Sequence, residues 1–236
     1  MRLLFFLLFA SVCWSQAYEG LSYNDSNGGL NYRFFKPSGF EKNKEYPLIV
    51  FLHGIGQRGS DNKRQLIHGG DFFISDELQS KNPSFIVFPQ CPVGAFWNYE
   101  GETKGSLFFV EKIIALIINK YPIDKQKIYI GGLSMGAWGT FSLVNRNPRL
   151  FSKAFAMCGG SPESFSKNLI YTKWRIDHGK KDRIVPYSFS EIISSAIRES
   201  GGEVELNLYE DVYHNVWDVV SVSYTHLTLP TSTHGV

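Results

Sequence analysis

Between residues 46 and 209 the chain alternates two kinds of apolar pattern, and no other feature restricts its fold as strongly. Residues 46–52, Tyr-Pro-Leu-Ile-Val-Phe-Leu, form an unbroken apolar run rich in β-formers. Residues 84–89, 127–132 and 152–158 repeat it, while residues 171–176 and 204–209 alternate more. Unbroken runs suit strands covered on both faces, as in a parallel sheet, and alternating runs suit strands nearer an edge. Helical patterns lie between them. Residues 106–120 place Phe109, Ile113, Leu116 and Ile117 on one face and stop at Tyr121-Pro122. Residues 135–145 give a short helix ending before Asn147-Pro148, and residues 187–200 gather Phe189, Ile192, Ile193 and Ile197 before Gly201-Gly202. This order predicts an α/β fold with a doubly wound, mostly parallel sheet and right-handed crossovers. Function in such sheets collects at the carboxyl ends of the strands. Here those ends carry His53-Gly54, Gln90-Cys91, Ser134, Cys158 and Asp182.

Charge and composition remove several function classes. Twenty-four basic residues against twenty-two acidic ones, with no block of like charge, leave no electrostatic footprint for nucleic acid. A chain of 236 residues that is 43% hydrophobic suits one folded domain. Three cysteines without a Cys-x-x-Cys pair are neither a disulfide scaffold nor a zinc motif.

Both ends differ from the rest. Met1-Arg2, an apolar run to Cys13 and Trp14-Ser15-Gln16-Ala17 have the three parts of a secretory signal, so residues 1–17 are expected to be removed after Ala17. The run is shorter than the roughly 20 residues of a membrane anchor, so no stable anchor is expected. A lipoprotein site at Cys13 is opposed by the bulky Val12 before it. Secretion or periplasmic export follows, which leaves Cys91 and Cys158 in a compartment that permits a disulfide. Residues 222–236 have neither helical period nor partner strand, and residues 222–231 can be back-translated into a string resembling the transposon-end adapter of DNA sequencing libraries. They are read as a non-native tail, which removes His226 and His234 and leaves residues 18–221 as the domain.

Gly132-Leu133-Ser134-Met135-Gly136 matches Gly-x-Ser-x-Gly between an apolar strand and a helix. A serine on that tight turn stands above the sheet, and the flanking glycines remove side chains that would clash with its neighbours. A capping serine on an ordinary turn is the plain alternative. A serine hydroxyl needs a base, and the base needs an orienting carboxylate. His214, just beyond the last strand, is the one histidine before the tail that follows both Ser134 and a post-strand acid; His53, His68 and His178 come too early. Asp182 is the expected acid, Asp177 its weaker rival, and Asp211 suits a capping or solvated position. A tetrahedral oxyanion needs two backbone donors. Met135 N–H supplies one, and Ile55 or Gly54, after the 46–52 strand, the other. His53 reads as structural. Trp97, Tyr99 and Trp138 near strand ends are candidates to line a substrate pocket or to be ordinary core aromatics, with Phe72 and Phe73 equally ambiguous.

The chain thereby resembles the α/β-hydrolases. More narrowly it is similar to exported bacterial esterases of the polyhydroxybutyrate-depolymerase-like and feruloyl-esterase-like group, often labelled predicted peptidases. The words that carry the resemblance are residues 51–61 (Phe-Leu-His-Gly-Ile-Gly-Gln-Arg-Gly-Ser-Asp), Pro89-Gln-Cys-Pro92 with Trp97, the Ser134 pentapeptide, His178-Gly-Lys-Lys-Asp182, and His214-Asn215 with Trp217-Asp218. The resemblance implies Ser134, Asp182 and His214 as a triad, with no metal or organic cofactor. Two departures stand out. Ala137-Trp138 replaces a smaller, glycine-first pair, and the chain stops soon after Trp217-Asp218, where the family has a further helix on the sheet. The expectation is a serine esterase working through an acyl-enzyme on small or polysaccharide-linked esters. A serine peptidase of the same fold, or an inactive exported binding protein, are the alternatives.

Overall fold

The computed structural model describes residues 17–223. Residues 1–16 of the expected signal, Cys13 among them, and residues 224–236 with His226 and His234 lie outside the described residues. Eight strands form one sheet: β1 (Glu19–Asp25), β2 (Gly28–Phe35), β3 (Tyr46–Leu52), β4 (Phe85–Gln90), β5 (Ile123–Leu133), β6 (Lys153–Met157), β7 (Lys173–Gly179) and β8 (Val204–Tyr209). The helices are α1 (Gly70–Phe73), α2 (Asp76–Lys81), α3 (Ser106–Lys120), α4 (Met135–Arg146), α5 (Ser166–Leu169), α6 (Ser188–Glu199) and α7 (Trp217–Ser223). Across the sheet the order is β1-β2-β4-β3-β5-β6-β7-β8. The β1–β2 and β2–β4 pairs are antiparallel, and the remaining neighbours are parallel. The doubly wound, mostly parallel sheet expected from the sequence is therefore present. The expected tail boundary at residue 221 falls inside α7, whose backbone continues to Ser223.

The unbroken apolar runs are explained by two packed layers. Leu48, Val50 and Leu52 of β3 and Phe85 and Val87 of β4 face a core shared with α3, α4, α5 and α6. Their alternates Ile49, Phe51, Ile86 and Phe88 face a second core with Tyr18, Phe73, Val216 and Val220. A strand buried on both sides has no solvent face on which to place polar residues. On the second face a groove of about 330 Å³ crosses the sheet, lined by Ile49, Phe72, Tyr129 and Phe155, with Lys153 and Glu205 at its margin.

Two expected helix faces need correction. In α3, Leu116 is exposed, and the buried stripe runs through Leu107, Val110, Ile113, Ile114 and Ile117. In α6, Phe189 and Ile192 are exposed, while Ser190, Ile193, Ser194 and Ile197 face the sheet. Small serines let that helix lie close to the sheet, and Ser190 finds a buried polar partner there. Because β3 and β5 to β8 run parallel, their carboxyl ends emerge side by side on one edge.

Candidate active site

Ser134 sits between β5 and α4 with φ 52° and ψ −118°, a positive φ that non-glycine residues seldom adopt. Its amide donates to Met157 O at 2.8 Å, which pins the turn to β6. The neighbouring glycines are needed for close approach. A Cβ on Gly132 would strike the Gly136 carbonyl, and one on Gly136 would strike the Leu52 carbonyl. The turn thus fits only where strand, helix and β3 cross almost in contact.

Asp182 follows β7 and is 8% exposed. Its Oδ1 accepts from the amides of Ile184 at 2.8 Å and Val185 at 2.9 Å, fixing the carboxylate plane. Its Oδ2 accepts from His214 Nδ1 at 2.7 Å. His214 Nε2 in turn lies 2.9 Å from Ser134 Oγ. The three candidates from separate loops thus form one hydrogen-bonded line. Burial opposes the charge on Asp182, but the hydrogen bond from His214 and the two amides overcome it and hold the carboxyl below its usual range.

The loops carrying the acid and the histidine are joined by backbone bonds beyond the β7–β8 ladder. Lys180 N donates to Tyr209 O at 2.9 Å and Lys181 N to Val212 O at 3.0 Å. Asp211 pairs with Lys181 at 2.6 Å on the surface, in keeping with the solvated role expected for it. Asp177, the rival acid, is bound by Arg175 and by Tyr209 OH and is therefore committed elsewhere. Trp217 packs edge-on to His214 at 5.6 Å and against His68 at 5.1 Å, so its ring links the two histidines.

Met135 N heads α4, and Ile55 opens a short turn, Ile55–Gln57, after β3. Among the described residues no loop or cap hydrogen bond uses the amides of Gly54, Ile55 or Met135. Leu133 lies so close to Gly54 that a Cβ there would come within 2.6 Å of its side chain, which brings the two turns together. His53 anchors this turn: its Nε2 accepts from Cys91 N at 2.9 Å, and burial pushes the ring down to about 4 and keeps it neutral. Arg58 donates to Ile55 O at 3.2 Å and Ala95 O at 3.0 Å and lies over the Phe96 ring.

Of the pocket candidates, Trp97 is corrected. It is 4% exposed, its Nε1 donates to His53 O at 2.9 Å, and its ring packs on His53, so it backs the β3 turn from the core. Tyr99 OH is taken by Glu111 at 2.6 Å. Trp138 is half-buried and meets the exposed Phe189 edge-on at 5.4 Å, which puts an aromatic pair one turn from Ser134. Phe73 is core, and Phe72 lines the sheet-face groove. That groove, though roomy, includes none of Ser134, Asp182 or His214 in its lining.

Two further residues at the site belong to the strand ends and motifs of the sequence, which assign them no role. Cys158, with φ 46°, is fully buried beside the array, and burial pushes its thiol up. Its sulfur, an Asp182 oxygen and a His214 nitrogen lie within 4.8 Å of one another. A cation held there would have to displace the bond between His214 and Asp182 and the thiol proton. Cys91 and Cys158 are both free thiols. The second residue, His178, shares Asp182 Oδ2 at 3.2 Å. Chemically the array can move a proton from Ser134 Oγ to His214 Nε2 while Asp182 stabilises the resulting imidazolium. The amide of Met135 and that of Gly54 or Ile55, which no loop or cap bond uses among the described residues, are the candidates to receive a developing oxyanion.

The model of the phospholipase/carboxylesterase family matches residues 98–228. A bifunctional acetylxylan esterase/xylanase of Neocallimastix patriciarum is 25% identical over 170 residues, 69% of this chain and 23% of that protein. A poly(3-hydroxyalkanoate) depolymerase C of Paucimonas lemoignei is 29% identical over 137 residues, 55% of this chain and 32% of that protein. A dipeptidyl peptidase family member of Caenorhabditis elegans is 25% identical over 210 residues, 75% of this chain and 26% of that protein. This chain therefore spans between about a quarter and a third of these relatives. Among solved structures, a thermostable esterase superposes with a TM-score of 0.82 at 29% identity, over 89% of this chain and 63% of that one. A ferulic acid esterase of Anaeromyces mucronatus shares the fold, with a TM-score of 0.66 at 18% identity over 88% of each chain. The fold is that of the α/β-hydrolases.

Proposed function

The chain belongs to the phospholipase/carboxylesterase family, and from that footing we propose that it is an exported serine esterase acting through an acyl-enzyme intermediate. The observation that carries the reading is the line from Ser134 Oγ through His214 to Asp182, with distances of 2.9 and 2.7 Å. Ser134 Oγ attacks the ester carbonyl carbon as His214 Nε2 takes its proton. The oxyanion is held by Met135 N–H and an amide of Gly54 or Ile55. His214 then returns the proton to the leaving alcohol oxygen, and the carbon–oxygen ester bond breaks. Water repeats the sequence on the acyl-enzyme and releases the acid. Trp138 with Phe189 lines the acyl side. Similarity to an acetylxylan esterase supports esters borne on carbohydrate as the substrate class. Export rests on the pattern of residues 1–17, and the burial of Tyr18 supports a mature domain that begins there.

Turnover of p-nitrophenyl acetate and of acetylated xylo-oligosaccharides, with Ser134→Ala as control, tests the reading. The variant should lose about 10³-fold or more in kcat, the residue of rate coming from binding and oxyanion donors alone. Equal turnover by the variant overturns it. The dipeptidyl peptidase relative keeps a serine peptidase as the second reading, and cleavage of peptide p-nitroanilides without ester turnover would select it.

A further inference from the structure

Asp182 Oδ2 serves two imidazoles. His214 Nδ1 approaches at 2.7 Å and His178 Nε2 at 3.2 Å. His178 Nε2 also lies 2.9 Å from Val185 O. A carbonyl and a carboxylate only accept, so His178 Nε2 carries a proton. On its other side Nδ1 is 2.7 Å from Ser190 Oγ, and Ser190 Oγ is 2.8 Å from Gly159 O. Asp182 is buried, His178 and Ser190 have no exposed area, and His214 and Val185 are half-buried. One continuous chain of polar contacts therefore joins α6 and the loop after β6 to the carboxylate facing His214.

We propose that His178 is a positioning residue, which holds Asp182 Oδ2 in line with His214 Nδ1 and draws electron density from it. The proposal rests on the esterase reading, since it matters only if Asp182 orients a working histidine. The charged or titrating groups that act on it are Asp182 from its own loop and His214 from the loop after β8, and the Cys158 thiol lies beside these two. Asp177, next in sequence, is bound to Arg175 and Tyr209 instead. The α6 groups that face inward are the neutral hydroxyls of Ser190 and Ser194. Burial keeps the His178 ring neutral against the pull of Val185 O and Asp182. In that state the single Ser190 proton serves Nδ1 or Gly159 O but not both.

Removing the Nε2–H leaves Asp182 with one donor fewer and therefore more strongly basic towards His214. His214 then keeps its proton to higher pH, and the reaction that needs it neutral loses its acid side sooner. The rate of Ser134 labelling by a fluorophosphonate, followed against pH, reads this without any choice of substrate. His178→Asn, which keeps a polar atom near the Nδ1 position but none at Nε2, should label about 10-fold more slowly at its plateau, as for a lost bond to a charged group. Its acid midpoint should rise by about 0.5 unit or more. His178→Gln, whose amide nitrogen can occupy the Nε2 position, should recover most of both. Equal rate losses in the two variants that follow their thermal midpoints, with the acid midpoint unmoved, overturn the proposal and leave His178 as packing. Should His178→Asn fail to fold, His178→Leu, which fills the same space without a donor, reads the same property, and an unmoved acid midpoint there overturns the proposal. No labelling of the unmodified protein refutes the esterase reading and this proposal with it, whereas labelling with unmoved midpoints refutes the positioning role alone.

Discussion

Asp182 keeps its negative charge in a nearly dry place because four donors converge on two oxygens. Asp182→Asn keeps the shape but lets the amide nitrogen face His214, which favours the wrong tautomer. Its kcat should fall by about 10³–10⁴-fold with p-nitrophenyl acetate, with KM little changed. The same residue links stability to pH. Its carboxyl is held below the usual range, so its stabilising contribution is full above about pH 4 and is lost as pH falls through the folded value. The urea midpoint of the natural protein should therefore exceed that of Asp182→Asn at pH 6, and the two should converge on approach to pH 2 to 3. A gap that stays constant would contradict the link. Ser134 and His214 were legible in the sequence because a tight turn and chain order leave local marks. The roles of His178, Cys158 and Arg58 were not, since they depend on which loop the fold brings alongside. Trp97 misled for the same reason: nearness to a strand end does not say which way an indole points.

Among the elements, the β5–α4 turn is the least forgiving. Gly136 faces the Leu52 carbonyl so closely that the backbone of β3 would have to move for a methyl group. Gly136→Ala should cost about 3 kcal/mol or more in urea unfolding, at the severe end of single substitutions, whereas an alanine at Gly56, where nothing lies within 4 Å, should cost far less. The runs at 46–52 and 204–209 matched β3 and β8 because unbroken or alternating apolar residues report burial directly. The β1–β2 hairpin was overlooked. Asn27-Gly28 carried a turn signal, but β1 exposes most of its residues and leaves no apolar signature. The α6 face was misjudged because serines were not counted as inward residues, although Ser190 and Ser194 are both buried.

At the scale of the whole molecule, the order of strands decides how robust the site is. His214 follows β8, the edge strand, whose residues are at best half-buried, while Ser134 follows the central β5. Edge segments open at lower free energy than the core. Fluorophosphonate labelling should consequently be lost at lower urea than the far-ultraviolet circular dichroism signal, and coincident transitions would show that β8 opens only with the rest. The layering of the sheet was readable in advance because every central strand needed apolar residues on both faces. The second-face groove was not, since it reflects which helices fail to cover the sheet and not what the strands contain.

Ser134, Asp182 and His214 lie in separate crossings of one sheet, and no stretch of chain shorter than residues 134–214 holds all three. On the proposed function, the polypeptide is therefore inactive until its last edge is in place. During synthesis, or while threaded through a narrow channel as an extended string, it carries a serine with ordinary reactivity and a histidine with nothing to take a proton from. On the proposed function, reactivity is switched on by closure of the fold itself.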